Sequence, residues 1–340
     1  MEGLHLIDGD CAKSDHLLKL TLAFLSAFAV SSALTPLCRA LAARTKRYSH
    51  PSADGSIPIP PFGGLAILSG ILVIPLIFSI TLPSGFWLGI IGMAAMGFLD
   101  DLRPFSPFQK LTLQFFVVIL SVWLGIRFEL TGTDVGDGVL TVLWLVWMCN
   151  AFNVLDMMDG LSAGIGAIAS LGLGIMLSIG AIQNGLVVGL ALAGGLFGFL
   201  CYNFHPARIY MGDSGSLLVG FALATMVVYA TKVLPAPQGI IGPFLAVGIP
   251  CFEGTFLSVI RARKKRPIMQ ASQDHVAQRL VRLGYSINGA VARMYGVGAL
   301  LSLSGIVALS MGERASWVIS ILVLIFALWI SKRLASVDME

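Results

Sequence analysis

The chain has 340 residues, 56% of them hydrophobic and only 12% charged, with a formal net charge of +4. Soluble domains carry about 25% charged residues, so this composition excludes an ordinary water-soluble globule and indicates a polytopic membrane protein. The net charge is too small to indicate a nucleic-acid ligand, and its distribution matters more than its sum.

An acidic, His-containing segment occupies residues 1–16. It lacks the basic region and small-residue cleavage site of a removable leader, so none is expected. Apolar runs follow at 17–41, 62–82, 85–99, 108–126, 138–155, 161–182, 185–203, 215–233, 239–260, 288–310 and 315–333. Each is close to the roughly 20 residues that cross a hydrocarbon core about 30 Å thick. The expected fold is all-α: one transmembrane domain over 1–340, a bundle of about 11 membrane helices with no room for a soluble domain. Alternating the loops puts 17 of the 22 Lys and Arg on one side, which the positive-inside rule makes cytoplasmic. The N-terminus is then outside, the C-terminus is cytoplasmic, and the longest cytoplasmic loop is 261–287. The five cysteines stand singly and predict neither a disulfide nor a zinc framework. No internal repeat is visible, which argues against an inverted-repeat transporter. Gly194, Gly195 and Gly198 permit a homodimer without requiring one.

The same topology sorts the acids. Asp100, Asp101, Asp156, Asp159, Asp213 and Glu253 all fall at cytoplasmic helix ends or loops. A carboxylate at membrane depth costs about 2.5 to 3.5 kcal/mol on insertion scales and marks a function when present. An ion-coupled transporter is the alternative reading of such acids, but it would spread them over both faces.

Four stretches carry the chemistry, in chain order. In "FLDDLRPFSPFQK" (98–110), Asp100 and Asp101 cannot both ionise comfortably without a cation or hydrogen-bond donors nearby, unless they form a solvated helix end. Lys110 opens the next helix, either as an anion contact or as an interfacial snorkelling lysine. In "NAFNVLDMMDGLSAG" (150–164), Asn150, Asn153, Asp156 and Asp159 recur every three residues, one stripe if the helix continues. Such a stripe suits a nucleotide hydroxyl, a magnesium shell or a proton acceptor; the alternative is a polar packing seam. Gly160 allows a turn and Ser162 can cap the next helix.

In "YNFHPARIYMGDSGS" (202–216), which also holds Asn203, Asp213 lies between glycines leading into a helix. Backbone N–H groups there can face a phosphate while the carboxylate holds its metal, or the segment is a plain turn. The loop "RARKKRPIMQASQDHVAQRLVRLGYS" (261–286) opens with a basic run suited to an anionic leaflet. His275 and Arg279 are four apart on an expected helix, where they could jointly hold a diphosphate. Glu253 precedes the run and neutralises part of it.

Together these features describe an anion-binding site at the cytoplasmic end of a helical bundle. The ordered set "FLDD", "NAFNVLDMMDGL", "NFHPARIYMGDSGS" and the His275–Arg279 loop resembles the polyprenyl-phosphate N-acetylhexosamine-1-phosphate transferases, glycosyltransferase family 4. The likeness runs from about Pro58 to Tyr285, with "PPFGGLAI" (60–67) similar to the family's first cytoplasmic loop and "IPCFEGT" to a helix carrying an acid at Glu253. It implies an enzyme of the bacterial cytoplasmic membrane. That enzyme would transfer HexNAc-1-phosphate from a UDP-HexNAc, foremost UDP-GlcNAc, to polyprenyl phosphate, with Mg²⁺ or Mn²⁺, and so initiate a cell-envelope polysaccharide.

By the same resemblance, Asp213 ligates the metal and Asp100 and Asp101 serve the lipid phosphate. Asp156 and Asp159 join them as catalytic carboxylates, Asn153 with these two holding the nucleotide and metal shell. Lys110, Asn150, Asn203, His275 and Arg279 are substrate contacts. The sequence departs from the family pattern at Phe62, at Met157, where glycine is usual, and in having few histidines before Arg279. The histidine-rich signature of the MurNAc-pentapeptide enzymes is absent. These departures bear on the sugar, with a 6-deoxy UDP-HexNAc as the alternative donor, more than on the reaction. A CDP-alcohol phosphatidyltransferase would need a D-G-x-x-A-R type helix that the chain lacks.

Overall fold

The computed structural model describes residues 2–45, 59–78, 80–180, 182–265, 267 and 274–339. Parts of several sequence features lie outside these residues: Lys46 and Arg47 among the sorted cations, Pro58, Ser79 and Ala181 of two apolar runs, the basic-run member Arg266, and 268–273 of the long loop. Among the described residues the chain is all-α. Its helices are α1 (Glu2–Arg44), α2 (Gly63–Leu72), α3 (Ile74–Ile77), α4 (Ser84–Leu102), α5 (Pro107–Trp123), α6 (Asp134–Leu155), α7 (Leu161–Ile179), α8 (Gln183–Asn203), α9 (Gly212–Val233), α10 (Gln238–Ala246), α11 (Gly248–Arg263), α12 (Val276–Arg282), α13 (Ile287–Met311) and α14 (Glu313–Ala335).

Each apolar run in the sequence falls on one of these helices or on a broken pair. Eight helices are long and apolar enough to cross a bilayer, or nine spans if α10 and α11, bent by 74°, count as one. Two runs expected to be continuous are interrupted, and proline explains both. Pro75 in the 62–82 run offers no N–H to the turn before it, and helix ends at Ile77. In the 239–260 run Pro250 leaves the Ala246 carbonyl without its helical donor, and the axis turns at Val247. The first helix is longer than expected and starts at Glu2. The 85–99 run extends to Leu102, so Asp100 and Asp101 sit on the last turn of α4.

α9 is the axis of the bundle: 78% of its apolar window is buried, against 6% for α14. It packs on α4, α6, α7 and α2, while α1 lies along α8 and α2, α13 along α7 and α10, and α14 along α13. The outward faces are aliphatic, as at Leu322, Ile325 and Leu328 of α14, as lipid contact requires. Gly194 and Gly198 of α8 lie against the Phe24 and Phe28 carbonyls of α1, and Gly195 faces Ile67 of α2. The small-residue stripe that would permit a dimer is therefore filled within the chain.

One end of this bundle collects helix termini. Gly63 N and Gly64 N donate to the carbonyls of Tyr210 and Met211 at 3.0 and 2.9 Å, and Tyr210 N donates to the Pro60 carbonyl at 2.9 Å. The start of α2 is thereby stitched to the loop before α9. The C-terminal ends of α4, α6 and α8 and the N-terminal ends of α5, α7 and α9 meet at the same place.

Candidate active site

Helix α5 begins cleanly because Ser106 and Gln109 form a reciprocal capping box ahead of Pro107. That fixes Lys110 on its first turn, pointing back across the bundle. Its ammonium lies 3.0 Å from Asp100 Oδ2 and also donates to Asp213 Oδ2. Lys110 and Asp100 are only 18% and 8% exposed, so the pair is little screened by water. The other Asp213 oxygen accepts from Asn153 Nδ2 at 2.5 Å, and the same amide reaches Ser216 Oγ at 2.9 Å. Asp100 Oδ1 accepts from Phe105 N at 2.6 Å, which sets the chain's exit from α4. Four residues from three distant parts of the sequence, Asp100, Lys110, Asn153 and Asp213, thus form one connected cluster.

Asp101 does something different from its neighbour. Its two carboxylate oxygens accept from the backbone N–H groups of Asp213 and Ser214 at 2.9 and 3.2 Å. The N-terminus of α9, expected to face a phosphate, is occupied by this carboxylate instead. The close approach depends on two glycines. A side chain at Gly97 would run into the Asp213 backbone, and one at Gly212, whose φ is +72°, would meet Asp101 Oδ2 at 2.6 Å.

The expected stripe 150–153–156–159 is not continuous. α6 ends at Leu155 and the chain turns, reversing at Gly160 with φ +76°, so the four side chains diverge. Asn150 shares its amide with buried Gln114 of α5 at 2.6 Å and with the Val146 carbonyl at 2.8 Å. Asp156 Oδ1 accepts from the Ser162 hydroxyl at 2.5 Å; Ser162 braces the turn rather than capping α7 through a backbone N–H. Burial pushes the Asp156 carboxyl up to about 7, with the charges of Asp213 and Asp159 adding and the Ser162 hydroxyl opposing. Asp159 Oδ2 accepts from Ala207 N at 3.0 Å and lies 2.7 Å from His205 Nδ1. Met157 is exposed in this turn.

Asn203, 2% exposed, has both ends on backbone: Oδ1 accepts from Gly160 N at 3.0 Å and Nδ2 donates to the Ile209 carbonyl at 2.9 Å. It ties the 156–160 turn to the loop before α9 rather than presenting its amide to a substrate.

His275 and Arg279 belong to a second cluster. His275 is the N-cap position of α12, not within it, and its Nδ1 lies 3.0 Å from Glu253 Oε1, which also accepts from Val276 N at 3.2 Å. Arg279, 1% exposed, donates through Nη1 to the Leu334 and Val337 carbonyls at 2.8 and 3.0 Å, and through Nε to the Asp274 carbonyl at 2.9 Å. Desolvation lowers its pKa, against the pull of Asp274 and Glu253. The guanidinium expected on a diphosphate therefore clamps the C-terminal end of α14. Glu253, expected only to offset the basic run, is 1% exposed and anchors α12.

Several site neighbours escaped sequence reading. Ser216 is one turn beyond Asp213, and Gln114 one turn beyond Lys110, so helical spacing carried a signal for both. His205, which its place before Pro206 predicts to be a loop histidine rather than a ligand, lies against Asp159; Tyr295, whose hydroxyl donates to the Gly160 carbonyl at 2.5 Å, carried no signal.

Among the described residues no group of three or more His, Cys, Asp and Glu side chains converges as a metal cage. The Lys110 ammonium nevertheless stands between two carboxylates as a cation would. Among the described residues four carboxyl groups, those of Asp100, Asp101, Asp156 and Asp213, gather near this one ammonium. All the acidic donors are hard oxygens, the chemistry suited to a magnesium ion that takes one or two carboxylates and completes its shell with substrate phosphates.

The model of glycosyl transferase family 4 matches residues 84–231, from α4 to α9. A protein of Bacillus subtilis (strain 168) named a probable undecaprenyl-phosphate N-acetylglucosaminyl 1-phosphate transferase is 30% identical over 327 residues, covering 92% of this chain and 91% of its own length. A decaprenyl-phosphate N-acetylglucosaminephosphotransferase of Mycobacterium tuberculosis (strain H37Rv) is 29% identical over 82% of the chain and 79% of its own length. A phospho-N-acetylmuramoyl-pentapeptide-transferase of Moorella thermoacetica is 36% identical over a shorter 214 residues, 56% of this chain and 66% of its own. The family match contains every residue of the Asp100–Lys110–Asn153–Asp213 cluster.

Proposed function

The chain belongs to glycosyl transferase family 4, and from that premise we propose that it transfers an N-acetylhexosamine 1-phosphate from a UDP-linked sugar, foremost UDP-GlcNAc, to a polyprenyl phosphate, releasing UMP. The acceptor is undecaprenyl phosphate or a similar lipid, and the product initiates a cell-envelope polysaccharide. With the shorter apolar helices α2–α3 and α5 counted beside the eight or nine longer spans, the chain crosses a bacterial cytoplasmic membrane about eleven times, its N-terminus outside, its C-terminus inside and the carboxylate cluster at the cytoplasmic face. The names of the relatives support the reaction class, and the lysine held between two membrane-depth carboxylates is the single observation that carries it.

An oxygen of the lipid phosphate attacks the β-phosphorus of the UDP-sugar; the bond from that phosphorus to the bridging oxygen breaks, and UMP leaves with the electron pair. Negative charge gathers on the phosphoryl oxygens in between, and fixed positive charge there lowers the barrier. Asp100 and Asp213 are the residues that would hold Mg²⁺. When bound, the ion neutralises charge on the diphosphate. Lys110 supplies a second, permanent positive charge at the same carboxylates, and Asn153 orients Asp213. Asp101 holds the start of α9 and so sets where Asp213 points. Asp156, with Oδ1 held by Ser162, keeps Oδ2 to accept a proton or a nucleotide hydroxyl. Both Asp100 and Asp213 are engaged by Lys110, which favours direct attack by the lipid over a carboxylate nucleophile.

The test is a purified full-length protein given undecaprenyl phosphate, Mg²⁺ and a panel of UDP-HexNAc donors, with UMP release as readout. Release from at least one donor is expected. No UMP from any donor overturns the proposal.

A further inference from the structure

Away from the carboxylate cluster, a cavity of about 350 Å³ opens between the ends of α1 and α8 and the loop before α9. Arg39 of α1 and Arg208 of the loop line it with Tyr202, and Pro36, Ala40 and Ile209 give it an apolar wall. No acidic side chain lines the cavity, and neither guanidinium makes an ion pair among the described residues. Both arginines are exposed, so among the described residues nothing uses their charge.

The location bears on what the cavity receives. α1 is long and apolar enough to span a membrane up to this end, and Leu37 and Leu41, on a different face of the helix from Arg39, are 63% and 46% exposed, as a lipid-facing surface requires. Two unpaired guanidinium groups beside an apolar wall at the end of a lipid-facing helix match a phosphate carried on acyl chains, since basic pockets between membrane helices hold anionic lipid headgroups. Arginine offers paired donors to phosphate oxygens, and Tyr202 adds a hydroxyl of its own.

We propose that this cleft between α1, α8 and the 204–211 loop is a binding site for the phosphate headgroup of an anionic membrane phospholipid. Among the described residues its lining shares no hydrogen bond with Asp100, Lys110, Asn153 or Asp213. It is nevertheless wired to them by backbone. Arg208 N donates to the Tyr202 carbonyl at 2.8 Å, Ile209 accepts from Asn203, and Tyr210 and Met211 are stitched to Pro60 and Gly64. A headgroup on Arg208 therefore steadies the loop that delivers Asp213, and gives the enzyme a requirement for anionic lipid.

The experiment measures binding and does not depend on turnover. The full-length protein is placed in nanodiscs of phosphatidylcholine containing a fluorescent phosphatidylglycerol, and retained lipid is quantified for the wild type, R39Q/R208Q and R39K/R208K. With two phosphate-facing charges removed, the double glutamine variant is expected to bind about 30-fold more weakly, while the lysine variant keeps most of the affinity. Equal binding by all three overturns the site. Competition arms identify the source. Displacement by unlabelled phosphatidylglycerol but not by millimolar inorganic phosphate supports a lipid headgroup. Displacement by inorganic phosphate, or by undecaprenyl phosphate at lower concentration than phosphatidylglycerol, overturns that assignment. If R39Q/R208Q does not fold, R208Q alone, expected to lose about half of the effect in free energy, keeps the comparison.

Discussion

Lys110 on α5 and Asp213 on α9, 103 residues apart in sequence, are joined by a charge-assisted hydrogen bond, with Asp100 of α4 on the other side of the same ammonium. Three helices converge on one nitrogen. The lysine therefore offsets the repulsion between two neighbouring carboxylates, and holds the place of a cation between them.

Replacing the lysine separates these roles. Lys110→Gln keeps a donor, one bond shorter, and loses the charge. Turnover should fall by about 10²–10³, the usual cost of one transition-state donor, and the two carboxylates left without their counter-charge should also lower the melting temperature. The check is UMP release beside a melting curve, and turnover within a few-fold of wild type would remove Lys110 from the reaction.

Asp101 and Asp213 should part company in the same pair of measurements. Asp101 caps α9, so Asp101→Asn is expected to destabilise by about 1–2 kcal/mol, with turnover falling as Asp213 shifts. Asp213→Asn should abolish turnover with a smaller change in stability. An Asp101→Asn protein that melts like the wild type would contradict the capping role.

Removal of divalent ions gives a third test. Chelation should stop turnover, and Mg²⁺ should restore it. In Lys110→Gln the competing ammonium is gone, so Mn²⁺ binding followed by electron paramagnetic resonance should be tighter than in the wild type. Equal or weaker Mn²⁺ binding would mean that the ion does not use the space between Asp100 and Asp213.

The clamp of Arg279 on α14 predicts coupling across the C-terminus. Arg279→Gln and deletion of residues 336–340 each remove one side of the contact to the Val337 carbonyl. Their effects on stability should be markedly less than additive, because the double change loses the same interaction once. Additive losses, or a raised KM for the UDP-sugar with unchanged stability in Arg279→Gln, would return the arginine to the substrate.

Composition and the spacing of apolar runs were enough to establish an all-α membrane protein, because a lipid environment demands long apolar helices wherever the chain crosses it. They also sorted Asp100, Asp101, Asp156, Asp159, Asp213 and Glu253 to one side, and the structure joins Asp100 and Asp213 through Lys110 while Glu253 pairs with His275. Local spacing failed where the backbone stopped being helical. The period of three from Asn150 to Asp159 predicted one stripe, but α6 ends at Leu155 and the turn sends Asp156 to Ser162 and Asp159 to His205. Burial decided the other cases. Asp101 and Asp100 are adjacent and chemically identical, yet one faces the N–H groups of α9 and the other faces Lys110, because successive residues on a helix point about 100° apart. Arg279 looks like a phosphate ligand in sequence, and only the packing of α14 against α12 reveals two backbone carbonyls that claim it. Sequence alone determines which groups are too costly to be idle; the partner each one meets depends on helices brought together from distant parts of the chain.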